Sequence, residues 1–284
     1  MTMLKDHAAD KRQAPPANAA PPSKDVFETS DTFKSWDDDY YPPVALRFYD
    51  RAIPRMLDLL GAKEGDLVLD AGCGPGVHSI RAAKHGMRMK AIDISEWVLD
   101  EARRRAAAAG VEDRIDFQQA DLTNLPFESE SFDKIFSWGV VIHIPALDKA
   151  LDELCRILKP GGRLALYVTN KTALDHKLES AARFVLRKPH HGMERLTLGD
   201  GCWYRMHDED LWVWRVDAKG VRERLEYQGL KFVKREAGEF TEIQRRLKGG
   251  ARNALLHVNN LYYNLRLPAW AATAQLLVFE KTAK

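Results

Sequence analysis

From Val44 to Leu60 apolar residues recur at helical spacing (Leu46, Tyr49, Ile53, Met56, Leu57, Leu60), which predicts an amphipathic helix stopped by Gly61. Leu67-Val68-Leu69 has a different pattern. It is a short unbroken apolar run bounded by Asp70 and glycines, as expected of a strand covered on both faces. The chain then alternates: helix 76–84, strand 88–92, helix 96–109 ending at Gly110, strand 114–119, strand 132–138, helix 146–158 ending at Pro160-Gly161-Gly162, and strand 163–168. Helix 218–228 with Gly229, strand 230–237 and strand 274–281 resume the alternation further on. This order predicts an α/β fold with a doubly wound parallel sheet and helices on both faces.

Three stretches break the rhythm. Residues 1–24, rich in Ala, Pro, Lys and Asp, have no apolar period and are expected to be a disordered tail. Residues 170–217 carry Trp203, Tyr204, Trp212 and Trp214 with His190, His191 and His207. Residues 239–271 are rich in Arg, Asn and Tyr. No internal repeat is present.

Composition narrows the function class. The 284 residues are 45% hydrophobic and 30% charged, as in an ordinary globular enzyme. A net charge of +2 is too mild to point to nucleic acid or an anionic membrane. Cys73, Cys155 and Cys202 are far apart, which suggests neither a zinc knuckle nor a disulfide framework, so a reducing cytoplasm is expected. No transmembrane run or signal peptide is expected. The adjacent His190 and His191 have no carboxylates at ligand spacing, so no metal site is expected.

The chemistry concentrates at Val68-Leu69-Asp70-Ala71-Gly72-Cys73-Gly74-Pro75-Gly76, between a strand and a helix. Glycines there allow a tight turn and close approach of a ligand to the backbone, near the amides that open the next helix. Asp93 ends the second strand, where a carboxylate can accept both hydroxyls of a ribose. Asp121 follows the third strand in Ala120-Asp121-Leu122, and Leu158-Lys159-Pro160-Gly161-Gly162 leads into the fifth. The third glycine comes early, as GxGxG rather than the GxGxxG of nucleotide dehydrogenases.

In order and spacing, residues 66–168 resemble the class I S-adenosylmethionine-dependent methyltransferases, in the broad group that includes quinone and small-molecule enzymes. The resemblance implies a seven-stranded sheet, mostly parallel with the last strand antiparallel. It also implies S-adenosyl-L-methionine as cofactor. On it, residues 25–61 form an N-terminal helical cap, and 62–284 form the methyltransferase domain, with acceptor-side elaborations at 170–217 and 239–271. Gly72, Gly74 and Gly76 would line the methionine part of the cofactor, with Asp70 near its amino group. Asp93 would hold the ribose with Ile94 against the adenine, and Asp121 and Leu122 would bind the adenine edge. Ser137-Trp138-Gly139 would face the methionine and the transferred methyl, and Tyr41 or Tyr40 would meet the carboxylate end.

The acceptor side is less determined. His143 lies just past strand four and is the candidate base for an oxygen acceptor, or a structural hydrogen-bonding residue. The Trp cluster would wall an acceptor pocket or pack the insert. Asn259, Asn260, Tyr262 and Tyr263 would form a substrate lid or an ordinary amphipathic helix. The basic stretch of Lys234, Arg235, Arg245, Arg246, Lys248 and Arg252 would be a solvated face or steer an anionic acceptor. The function expected is methyl transfer by in-line displacement to a small molecule, at oxygen. The alternatives are a saccharide or lipid-linked glycan acceptor, or a non-catalytic S-adenosylmethionine-binding module. No Asn/Asp-Pro-Pro-Tyr motif follows strand four and no RNA-binding module is seen, so nucleic acid is not the expected partner. The oligomeric state is left open.

Overall fold

The structure is a computed structural model that describes residues 41–187, 193–206 and 209–283. The expected tail, Tyr40, His190, His191 and His207 lie outside the described residues. Helix α1 (Pro43–Leu60) opens with proline in its first turn and closes on Gly61 in a left-handed conformation whose N–H returns to Asp58 and Leu57 carbonyls. Its periodic apolar face is buried, with Ile53, Met56 and Leu60 inaccessible to solvent.

The alternating segment forms β1 (Leu67–Ala71), α2 (Val77–Lys84), β2 (Arg88–Asp93), α3 (Glu96–Ala109), β3 (Ile115–Gln119), β4 (Phe132–Trp138), α4 (Leu147–Ile157) and β5 (Leu158–Thr169). Ser95 caps α3 by accepting from the Val98 N–H, and Gly110 ends it. The helix expected to reach 158 stops at Ile157, because Leu158 already pairs with Phe132. The register then shifts across Lys159–Gly162 before Arg163 pairs with Lys134. Beyond β5 come α5 (Leu174–Val185), β6 (Met193–Leu196), β7 (Gly199–Met206), β8 (Glu209–Val216), α6 (Ala218–Tyr227), β9 (Leu230–Ala237), α7 (Gly249–Asn264) and β10 (Ala274–Lys281).

The main sheet has seven strands in the order β3-β2-β1-β4-β5-β10-β9. β1 pairs in parallel with both β2 and β4, and β10 runs antiparallel to both β5 and β9. The strand order therefore reverses between β1 and β4. In an open α/β sheet this leaves a crevice at the strands' carboxyl ends. Apolar clusters cover both faces: α4 and α6 lie on one and α1, α2 and α3 on the other.

Residues 170–217, where no regular pattern was predicted, form α5 and a separate antiparallel sheet in the order β6-β7-β8. That sheet is fastened to the main body through β8. The Trp214 indole N–H donates to the Ile144 carbonyl at 2.8 Å, and the Thr169 hydroxyl donates to the Trp214 carbonyl. Among the described residues, no helix is long and apolar enough to cross a membrane.

Candidate active site

The glycine turn is drawn onto the end of β2. The Gly72 and Cys73 N–H groups both donate to the Ile92 carbonyl, at 2.8 Å each. Gly72 has φ 88° and no room for a side chain, since a Cβ would lie 2.3 Å from Cγ1 of Val140. Gly74 has φ 51° and faces open space, with nothing within 4 Å of its would-be Cβ. Its N–H donates to Asp93 Oδ2 at 2.9 Å, while the Ser95 N–H donates to Oδ1 at 3.1 Å. Two backbone amides thus fix the Asp93 carboxylate across from the turn. Burial pushes its pKa above the usual carboxylate value, against the opposing pull of the Ser95, Gly74 and Ile94 amides.

At the next strand end, Asp121 Oδ1 accepts from both the N–H and the hydroxyl of Thr123, at 2.8 Å each. Asp121 Oδ2 accepts no hydrogen bond from the described residues. Leu122 beside it is buried.

The crevice at the reversal point holds a cavity of about 190 Å³. One buried water needs only about 10–15 Å³, so this space suits an organic ligand rather than structural water. Of the residues singled out in the sequence, Tyr41, Gly72, Gly74, Asp93, Ile94, Asp121, Leu122, Trp138 and His143 line it. Asp70, Gly76 and Ser137 are not on its wall.

Each of those three is turned into the fold. Asp70 is fully buried beneath the turn, where its Oδ2 accepts the Ser79 hydroxyl at 2.6 Å. Its burial pushes the carboxyl up to about 7; the Ser79 bond opposes this and the Asp93 charge adds to it. Gly76 backs onto α3, where a Cβ would meet that of Ala102 at 3.2 Å. The Ser137 hydroxyl donates to the Ala71 carbonyl at 2.7 Å and clips β4 to β1.

Several wall residues carried no functional expectation: Tyr49, His78, Tyr167, Glu239 and Glu242. Trp138 stacks on Tyr167 with centroids 3.9 Å apart and planes 4° from parallel. His78 packs edge-on to Tyr49 at 4.8 Å and lies 5.0 Å from Trp138. It is buried, and its Nδ1 is covered and without a partner. Burial first, and then the nearby Arg81 charge, lower its pKa to about 3, so the ring is neutral at physiological pH. A neutral ring that avoids burying an N–H without an acceptor carries its proton on Nε2. The sequence signal for His78 was slight: a histidine at the second position of the helix after the glycine turn.

His143 is buried and its Nδ1 lies 3.0 Å from the Trp212 carbonyl oxygen. A carbonyl can only accept, so Nδ1 carries the proton in the neutral ring and Nε2 is the basic nitrogen. Ile142, Ile144, Pro145 and Val168 surround it on the cavity wall. Trp212 and Trp214 are buried in the core and Trp203 packs against them; none of the three lines the cavity. Asn259 is buried, accepting from the Thr241 N–H and donating to the Thr241 carbonyl, while the Tyr262 hydroxyl donates to the Pro268 carbonyl at 2.6 Å. Both residues tie α7 to its neighbouring loops and stand off the cavity. Among the described residues, no group of three His, Cys, Asp or Glu could hold a metal ion.

Residues 68–162 match a family model described as a methyltransferase domain. The methyltransferase GfsG of Streptomyces halstedii is 38% identical over 118 residues, 41% of this chain and 42% of that protein. The 27-O-demethylrifamycin SV methyltransferase of Amycolatopsis mediterranei is 38% identical over 117 residues, 41% of this chain and 43% of that protein. The chain therefore spans about two-fifths of the length of these relatives. The structure of an S-adenosylmethionine-dependent methyltransferase from Methanosarcina mazei shares the fold, with a TM-score of 0.57 at 18% identity over 81% of this chain and 98% of that one.

Proposed function

We propose that this chain, which carries a class I methyltransferase domain, binds S-adenosylmethionine in the cavity at the β1–β4 reversal and methylates a small-molecule acceptor at oxygen. The observation that carries the reading is the Asp93 carboxylate, held by the Gly74 and Ser95 amides on the wall of a cavity sized for an organic ligand.

The residues present fit that cofactor. Asp93 would accept the ribose hydroxyls, and the unpartnered Oδ2 of Asp121 would accept from the adenine amino group. The open space at Gly74 would admit the methionine part against the backbone, beside the neutral N–H of His78. When bound, S-adenosylmethionine supplies an electrophilic sulfonium methyl for in-line displacement by the acceptor.

The chain's own task is alignment, exclusion of water and removal of one proton. The stacked Trp138 and Tyr167 rings make a rigid apolar wall. His143, with Nδ1 tied to the Trp212 carbonyl, would take the acceptor's proton on Nε2. The aliphatic wall around His143 favours an apolar acceptor over a saccharide. A relative named for an O-demethylated rifamycin supports oxygen as the methylated atom.

Isothermal titration tests the core of the reading. S-adenosylhomocysteine should bind in the micromolar range, and Asp93→Ala should weaken it at least about tenfold, the scale of a lost hydrogen bond to a charged group. Absence of binding at millimolar ligand refutes cofactor binding, and an unchanged affinity in the variant removes Asp93 from the ribose. Once an acceptor is found, His143→Ala with full turnover across pH would exclude the base.

A further inference from the structure

We propose that the face formed by α5 and the segment closing α7 docks on an anionic lipid bilayer. Helix α5 buries none of its residues. At its end Phe184, Val185 and Leu186 stand 85%, 77% and 65% exposed. Leu178 continues the apolar surface toward the helix start, where the Lys177 ammonium lies over the exposed Trp270 ring at 5.5 Å. The Leu174 N–H also donates to the Ala271 carbonyl at 3.0 Å, so the two segments adjoin. Leu265 and Leu267 are exposed on the chain leading to Trp270. A soluble surface scatters large apolar side chains singly; here they gather on two adjoining segments.

Charge selects the occupant. The two carboxylates of α5 are engaged within the protein. Asp175 Oδ2 accepts the Thr241 and Thr273 hydroxyls at 2.6 and 3.1 Å, and Glu179 bonds to Arg183 and Arg215. On the segment that closes α7, from Leu265 to Phe279, there is no Asp or Glu and one cation, Arg266. The face therefore offers apolar side chains and a tryptophan among lysines and arginines, with Lys177, Arg187 and Arg266 exposed in it. That combination suits the boundary between phosphate headgroups and acyl chains. A second copy laying the same face against it would oppose cation to cation with no carboxylate to pair. The mild net charge hid this, because the asymmetry is local.

Docking here is independent of methyl transfer. It has a geometric tie to the proposed site, because Asp175 also accepts the N–H of Glu242, which lines the cavity.

Sedimentation of the full chain with vesicles tests the proposal. It should pellet with vesicles of phosphatidylcholine and phosphatidylglycerol in equal parts, stay in solution with phosphatidylcholine alone, and be released as salt is raised. Phe184→Ser, at an exposed position, should weaken vesicle binding about tenfold, as expected for one aromatic side chain kept out of the bilayer. Lys177→Glu with Arg187→Glu should do so without changing the melting temperature or S-adenosylhomocysteine affinity. No pelleting at millimolar anionic lipid overturns the proposal. So does a dimer in analytical ultracentrifugation that Phe184→Ser dissociates, which would give the face to a second copy. Loss of S-adenosylhomocysteine binding with vesicle binding intact would refute the proposed function alone.

Discussion

Replacing Asp70 by Asn should stabilise the ligand-free protein, increasingly so as pH rises. Asp70 lies in the core with one oxygen on the Ser79 hydroxyl and the other without a partner, and its carboxyl is raised from 3.8 to about 7. The unfolded chain gives up that proton near pH 3.8 and the native chain holds it until about 7. Between these values the native state binds more protons, so stability falls as pH rises through the window. At about 1.4 kcal/mol per pH unit, the full penalty above pH 7 is about 4 kcal/mol, and about 2–3 kcal/mol of it develops between pH 5 and pH 8. Asn keeps an acceptor for Ser79 and cannot ionise, so any packing difference is a constant offset.

His78 acts in the opposite direction in the same range. Its pKa is lowered to about 3, so the unfolded chain takes up a proton that the native one refuses, and stability falls as pH falls below about 6.5. Subtracting wild type from variant cancels that contribution. The assay is urea unfolding of both proteins at a series of pH values. A variant-minus-wild-type difference that grows by about 2–3 kcal/mol from pH 5 to pH 8 supports the reasoning. A difference flat to within about 0.5 kcal/mol shows that Asp70 titrates normally and refutes it.

The glycine turn separates two substitutions. Gly72→Ala drives a methyl into Val140 at positive φ and should cost about 2–4 kcal/mol in urea unfolding, whereas Gly74→Ala should cost about 1 kcal/mol but lower S-adenosylhomocysteine affinity; equal stability losses would refute the contrast. The His78 ring resonances should stay flat from neutral pH down to about pH 4, and a titration midpoint near the ordinary 6.5 would show that the ring is not sealed.

The alternating half of the fold was legible because each element had one buried face and its own stop signal. Gly61 and Gly110 end helices in the structure as in the sequence reading. Asp93 and Asp121 were readable from their positions after strands, since the fold puts strand ends beside the crevice. Asp70 was not, because a carboxylate next to a glycine turn reads alike whether it faces a ligand or the hydroxyl of Ser79, nine positions on. Helix α5 has apolar positions at helical spacing, Leu174, Leu178 and Val185, but they face away from the core and lie in a stretch dominated by the tryptophans that follow. The β6-β7-β8 sheet escaped because Trp212 and Trp214 point to the core from a strand whose pairing is confined to its own insert. Glu239 and Glu242 lie within a stretch that stands out in the sequence for its cations, and the antiparallel return of the chain brings them to the cavity.

The double pairing of β10 sets an order of assembly. β5 and β9 flank it on either side, and Gln275 bonds to the Thr169 carbonyl from 106 positions away in the sequence. Until β10 is synthesised and inserted, each of those neighbours exposes a row of unsatisfied amides and carbonyls. The parallel half, with its glycine turn, can condense earlier from nearer contacts. On the ribosome the nascent chain should therefore pass through a state with the Asp70–Gly76 turn formed and the cavity wall unfinished, because Ala274 of that wall arrives with β10. Chaperone dependence and aggregation during expression should accordingly respond to changes in β10 more than to changes of similar size in β2 or β3.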